Sequence, residues 1–158
     1  MSFLDSWSPR LLALLRIIAG LCFMEHGCMK LLHFPSAMMP GPLPPVIMVA
    51  GVIELVGGAL IVLGLFTKPA AFIASGETAV AFFGFHVLNA FHMMPANTPV
   101  SIDPQVNHGE AAALYAVIFL YIAAAGAGAY APGDARNQAE ADERALSRQG
   151  RGSRHDDA

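Results

Sequence analysis

Residues 11–32 read LLALLRIIAGLCFMEHGCMKLL. An apolar run of about 20 residues is long enough to cross the hydrocarbon core of a bilayer as an α-helix. The same run carries Arg16, Glu25, His26 and Lys30. Ionisable side chains inside a membrane each cost roughly 3 kcal/mol unless they are paired, hydrated or within reach of an interface. On a helix turning about 100° per residue, Arg16, His26 and Lys30 share a stripe about 80° wide, and Glu25 lies about 180° from Arg16. That stripe is expected to face protein or a cavity. Arg16 reads as a side chain snorkelling towards the helix end at Arg10. Glu25 and His26 lie deeper, and their cluster is the first functional candidate.

The composition agrees with a membrane setting. The chain has 158 residues, 55% hydrophobic and 13% charged, against about 25% charged for a soluble domain. A formal net charge of −3, without a basic patch interleaved with aromatics, excludes nucleic acid as the expected partner. Cys22 and Cys28 project roughly 120° apart on a helix and about 9 Å apart in rise, so they do not pair with each other. They read as small apolar side chains. The first run is long for a signal peptide and is not closed by a small-x-small cleavage site.

Three further apolar spans follow, at 46–66, 70–91 and 109–130. Loops rich in proline separate the first from the second and the third from the fourth. The second and third are joined by Thr67-Lys68-Pro69 alone, which makes them antiparallel neighbours. Gly51, Glu54 and Gly58 line one side of the second span, where small residues allow close helix approach. Ala70, Ala74, Glu77, Ala81 and Gly84 form a small-residue face on the third. Glu77 reads as a lone carboxyl in that packing face, with His86 about 180° away. The fourth span ends in AAAGAGAY, where Ala124 and Gly128 offer another close-packing pair. The expected fold is all-α, an integral membrane four-helix bundle over residues 1–131 with a polar, disordered tail at 132–158.

Four spans place both termini on one side. Arg10, Lys68 and the arginines of the tail lie on that side, whereas Lys30 alone is basic on the other. The termini are therefore expected in the cytoplasm. Glu25, His26, Lys30, Glu54, His86, Asn107, His108 and Glu110 then share the outer half of the bundle. A cluster of proton donors and acceptors at one depth reads either as mutual pairing or as a working site.

These residues also carry a resemblance. Arg16, His26-Gly27-x-x-Lys30, Gly51-x-x-Glu54-x-x-Gly57-Gly58, Leu63-Gly64-Leu65-x-Thr67-Lys68, His86, Asn107-x-Gly109-Glu110, Gly126-x-Gly128 and Asp134 occur in an order that resembles the DoxX-like family of small four-helix bacterial membrane proteins. The resemblance implies an inner-membrane subunit of a redox-linked assembly, with relatives described in a thiosulfate:quinone oxidoreductase and beside thiol and oxidative-stress enzymes. The expected cofactor is a quinone, held by donors such as His26, Lys30 or His86, with Glu54 or Glu110 passing protons. His26, Glu54 and His86 are the expected catalytic residues, and Arg16, Lys30, Asn107 and Glu110 the expected ligand-binding ones. No haem, flavin or iron–sulfur motif is evident. Expected partners are membrane lipid, redox partner subunits and further copies of the chain.

Other readings stay open. Small-residue faces and a charged tail suit a non-enzymatic scaffold or assembly partner. A small-solute transporter would need an oligomer to form its path. His33 with Met38-Met39, and His92 with Met93-Met94, are soft ligands suited to Cu(I), although methionine as interfacial apolar filler is much the better explanation; no metal site is expected.

Overall fold

The computed structural model describes residues 2–38, 41–88 and 100–133. Among these the elements are all helical: α1 (Ser2–Asp5), α2 (Ser8–Leu31), α3 (Pro45–Leu63), α4 (Thr67–Val87), α5 (Pro104–Asn107) and α6 (Glu110–Ala125). Helices α2, α3 and α4 are each long and apolar enough to cross a membrane, and α6 is a shorter apolar helix. Prolines sit where their missing N–H is harmless. Pro9 and Pro45 lie in the first turns of α2 and α3, and Pro104 opens α5.

The long helices share one core. Ala19 and Phe23 of α2 meet Ile61 of α3, Ala70, Ala71 and Ala74 of α4, and Phe119 and Ile122 of α6. Small side chains on α4 let α6 lie close against it, and Ser75 Oγ ties the two by donating to the Ala116 carbonyl at 2.7 Å. Phe119 stacks on Tyr115 at 5.6 Å and meets Phe23 edge-on at 4.8 Å, a geometry that suits aromatic quadrupoles. The outer faces are apolar as well. Leu11, Leu14, Ile18 and Leu21 form an exposed stripe along α2. Glu25 is exposed on the continuation of that stripe, away from the polar cluster with which its depth had grouped it.

The contact of α2 with α3 is a seam of backbone on backbone. A Cβ on Gly27 would lie 2.5 Å from the Leu55 nitrogen and 2.8 Å from the Gly51 oxygen. One on Gly58 would lie 2.8 Å from the Met24 nitrogen and 2.9 Å from the Gly20 oxygen. Gly20 and Gly27 are spaced like Gly51 and Gly58, so the antiparallel helices meet at two glycine crossings. Such crossings gain close van der Waals packing where lipid offers no hydrophobic drive for association.

Two helices are not α-helical throughout. Ile53–Gly57 of α3 and Ala81–Val87 of α4 are π-helical. An i→i+5 turn rotates less per residue than an α-turn, so side chains beyond it change face.

The ends differ from expectation in a few places. Helix α3 stops at Leu63, because Gly64 takes a left-handed conformation at φ 72° and closes it. Helix α6 stops at Ala125, short of Tyr130, because Gly126 and Gly128 turn the chain at positive φ. The turned segment packs on the start of α2, where Ala129 N donates to the Pro9 carbonyl at 2.9 Å. Gly128 serves both that turn and the expected close contact, since a Cβ there would lie 2.7 Å from the Pro9 oxygen and 2.9 Å from the Ala13 nitrogen of α2. Met39, the end of the third span beyond Leu88, His92-Met93-Met94, Asp134 and the remainder of the tail lie outside the described residues.

Candidate functional site

A cavity of about 440 Å³ opens among α2, α3, α4 and α6. Its apolar walls include Phe23, Ile47, Ala81, Phe85 and Tyr115, and its polar groups are His26, Lys30, Glu54, Glu77, Thr78 and His86. Met38 and His108, both exposed, bound it at the loop end.

The α2–α3 seam makes the central feature. Where glycines bring the backbones together, Lys30 of α2 and Glu54 of α3 face each other across the contact. Their side chains form an ion pair through Nζ and Oε1. Lys30 is 7% exposed and Glu54 5%, so both charges have left water and each depends on the other. Glu54 Oε2 is buried without a hydrogen-bond partner among the described residues. Glu54 belongs to the π-helical part of α3, a local irregularity that recurs at functional positions.

The two histidines are fixed through the same ring atom. His26 Nδ1 lies 2.8 Å from the Cys22 carbonyl on its own helix. His86 Nδ1 lies 3.1 Å from the Asn107 carbonyl. A carbonyl only accepts, so Nδ1 carries the proton in each case, and Nε2 of the neutral ring is left as an acceptor. Asn107 builds the support for His86. It is fully buried, its Nδ2 donates to the Ser101 carbonyl at 2.8 Å, and its Oδ1 accepts from Gly109 N at 2.8 Å.

Glu77 is the residue that sequence reasoning misplaced. It lines the cavity, with Oε2 buried and without a partner among the described residues. The uniform helical wheel set it opposite His86. The π-helical stretch from Ala81 to Val87 takes up rotation between them and brings both to one cavity. The small-residue spacing that suggested a packing face is real: Ala70 and Ala74 are buried in the core.

Of the residues expected to act together, His26, Lys30, Glu54 and His86 line the cavity. Asn107 acts one layer behind, through His86. Glu110 is exposed at the start of α6 and is not part of the lining. Arg16 lies elsewhere. It is 1% exposed, which overturns the snorkelling expectation. Its Nε donates to the Ala127 carbonyl at 2.9 Å and its guanidinium reaches the Ile61 and Val62 carbonyls at the end of α3. The last carbonyls of a helix lack intrahelical donors, and an arginine there also complements the helix dipole. Among the described residues no group of three or more His, Cys, Asp or Glu side chains is placed to hold a metal ion. His33 and Met38 are exposed on the loop after α2.

The DoxX family model matches residues 11–87, which span α2 through α4. An uncharacterized protein of Haemophilus influenzae is 43% identical over 134 residues, covering 83% of this chain and 94% of the relative. No solved structure matches. The match takes in Arg16 at the ends of α3 and α6, the glycine seam and the Lys30–Glu54 pair, and the chain is a membrane protein of the DoxX family.

Proposed function

We propose that the chain is the membrane subunit of a redox-linked complex and that its cavity receives the ring of a quinone. The observation that carries this reading is the cavity itself. It combines aromatic and aliphatic walls with a few placed polar groups, within the size range of small-molecule sites. A quinone ring needs apolar surface for its faces and polar partners for its two oxygens. Reduction adds two electrons and two protons. Glu54, Glu77 and the histidines are the groups that can exchange those protons, and a partner subunit exchanges the electrons.

Helices α2, α3, α4 and α6 form a four-helix bundle in the bacterial inner membrane, with both termini cytoplasmic. The distribution of Arg10 and Lys68 at the terminal end supports this orientation. A reporter fused after Ala158 is expected to be active in its cytoplasmic form, and one inserted at Asn97 in its external form. The opposite pattern would invert the depth assigned to the cavity.

The test of the ligand is extraction in mild detergent followed by mass spectrometry of bound lipids. A quinone is expected at a substantial fraction of one per chain. In His26→Ala the bound ring, counted as quinone and hydroquinone together, is expected to fall by about tenfold, as for loss of a buried hydrogen bond from its hydroxyl, while folded yield is kept. Wild-type protein without quinone would overturn the reading.

A further inference from the structure

We propose that the cavity is built for a hydrogen-bond donor, so that it holds the reduced, hydroquinone form of its ring in preference to the quinone. This rests on the reading of the cavity as a quinone site and deepens it.

Most polar atoms of the lining are acceptors. His26 and His86 have given their Nδ1 hydrogens to the Cys22 and Asn107 carbonyls. In the imidazole form each ring then has Nε2 left as a lone pair. Thr78 Oγ1 is within bonding distance of the Ala74 and Ser75 carbonyls, at 2.8 and 3.1 Å, and donates its hydrogen there. Its contribution to the cavity is again a lone pair. Glu54 Oε2, on a side chain more than nine-tenths buried, and Glu77 Oε2 lack donors among the described residues. Tyr115, whose hydroxyl can donate or accept, favours neither form. Lys30 supplies donors, and one of its three hydrogens is on Glu54.

Acceptors thus dominate the lining, and an occupant matches them by bringing hydrogens. A quinone carbonyl only accepts. Beside Lys30 it could be satisfied, but against Glu54 Oε2, an ionised Glu77 carboxylate or an imidazole Nε2 it would set lone pair against lone pair. A hydroquinone hydroxyl satisfies both kinds of neighbour. It accepts from Lys30 and donates to Glu54 Oε2, and its counterpart donates to a histidine or to Glu77. Buried acceptors left unpaired are costly, so a site built to bond a hydroxyl discriminates strongly against the analogue without one.

The experiment uses three probes of one skeleton with the purified, lipid-stripped protein under anaerobic conditions. They are tetramethylhydroquinone, tetramethylbenzoquinone and the dimethyl ether of the hydroquinone. The hydroquinone is expected to bind at least about tenfold more tightly than the quinone, and the ether, which has no donor, no better than the quinone. A tenfold preference would raise the midpoint potential of the bound couple by about 30 mV. Glu77→Gln places an amide donor in the cavity and is expected to move the ratio towards one. Equal affinity of hydroquinone and quinone, or tighter quinone binding, would overturn this inference and leave the quinone site standing. A ratio unchanged in Glu77→Gln would remove Glu77 from it. Failure of all three probes to bind would instead overturn the proposed function.

Discussion

Lys30→Met is expected to lower the melting temperature of the purified protein by roughly 10 °C, corresponding to a loss of about 3–5 kcal/mol. The reason is what the substitution leaves behind. Lys30 and Glu54 are both buried, and their contact neutralises two charges that the interior would otherwise reject. Methionine fills much of the lysine stem, so packing along the α2–α3 seam changes little. The carboxylate, however, loses its cation, and its second oxygen already lacks a partner among the described residues. A buried ion pair is strongly destabilising to break and often nearly neutral to replace whole. The double variant Lys30→Met/Glu54→Leu is therefore expected to regain most of the loss, giving a large coupling in a double-mutant cycle. It should regain none of the ligand binding. If Lys30→Met melts like wild type, the pair contributes nothing and the seam is held by glycine packing alone. If the double variant melts as low as the single one, lysine acts through its stem.

The pair also shows where sequence stops being informative. The spans were legible because an apolar run of about 20 residues has few other uses. The depth of Lys30 and Glu54 followed from counting along those spans. Their contact did not follow, because it depends on how closely α2 and α3 approach. The glycine spacing on α3 was visible, and the same spacing of Gly20 and Gly27 on α2 is the signal that would have paired the helices. Glu77 could not be placed by any uniform wheel. Its meeting with His86 depends on a π-helical stretch that nothing in AFFGFHV announces. The end of the fourth span failed for a different reason. AAAGAGAY reads equally as a close-packing helix face or as a run of small residues able to turn; Gly126 and Gly128 turn the chain, and Gly128 makes its close contact with α2 from within the turn.

Arg16 is the position at which the two readings differ most in consequence, and its replacement is the second large effect expected. A snorkelling arginine contributes little, and Arg16→Lys should then be silent. In the structure Arg16 is a clamp. One side chain from α2 bonds the Ile61 and Val62 carbonyls at the end of α3 and the Ala127 carbonyl after α6. Gly64 is held close against it, since a Cβ there would lie 3.0 Å from the guanidinium. Hydrogen bonds from a charged donor contribute about 1.5–3 kcal/mol each. Arg16→Met, which removes the charged donor shared by the end of α3 and the segment after α6, is therefore expected to cost at least about 3 kcal/mol and to give little monodisperse protein. Arg16→Lys keeps the charge but replaces a planar fork by a single ammonium on a shorter reach, and cannot serve both helix ends at once. It is expected to recover less than half of the loss. Limited proteolysis supplies the second readout. In Arg16→Lys the segment from Gly126 to Ala131 should become cleavable, because its hold on α2 is reduced to contacts such as that of Ala129 with Pro9. Arg16 lies away from the cavity lining, so probe affinity at low temperature should stay within about twofold of wild type, as expected for distant sites. A silent Arg16→Lys would return the residue to the membrane surface. Lost affinity with a stable fold would give it a part in the cavity after all.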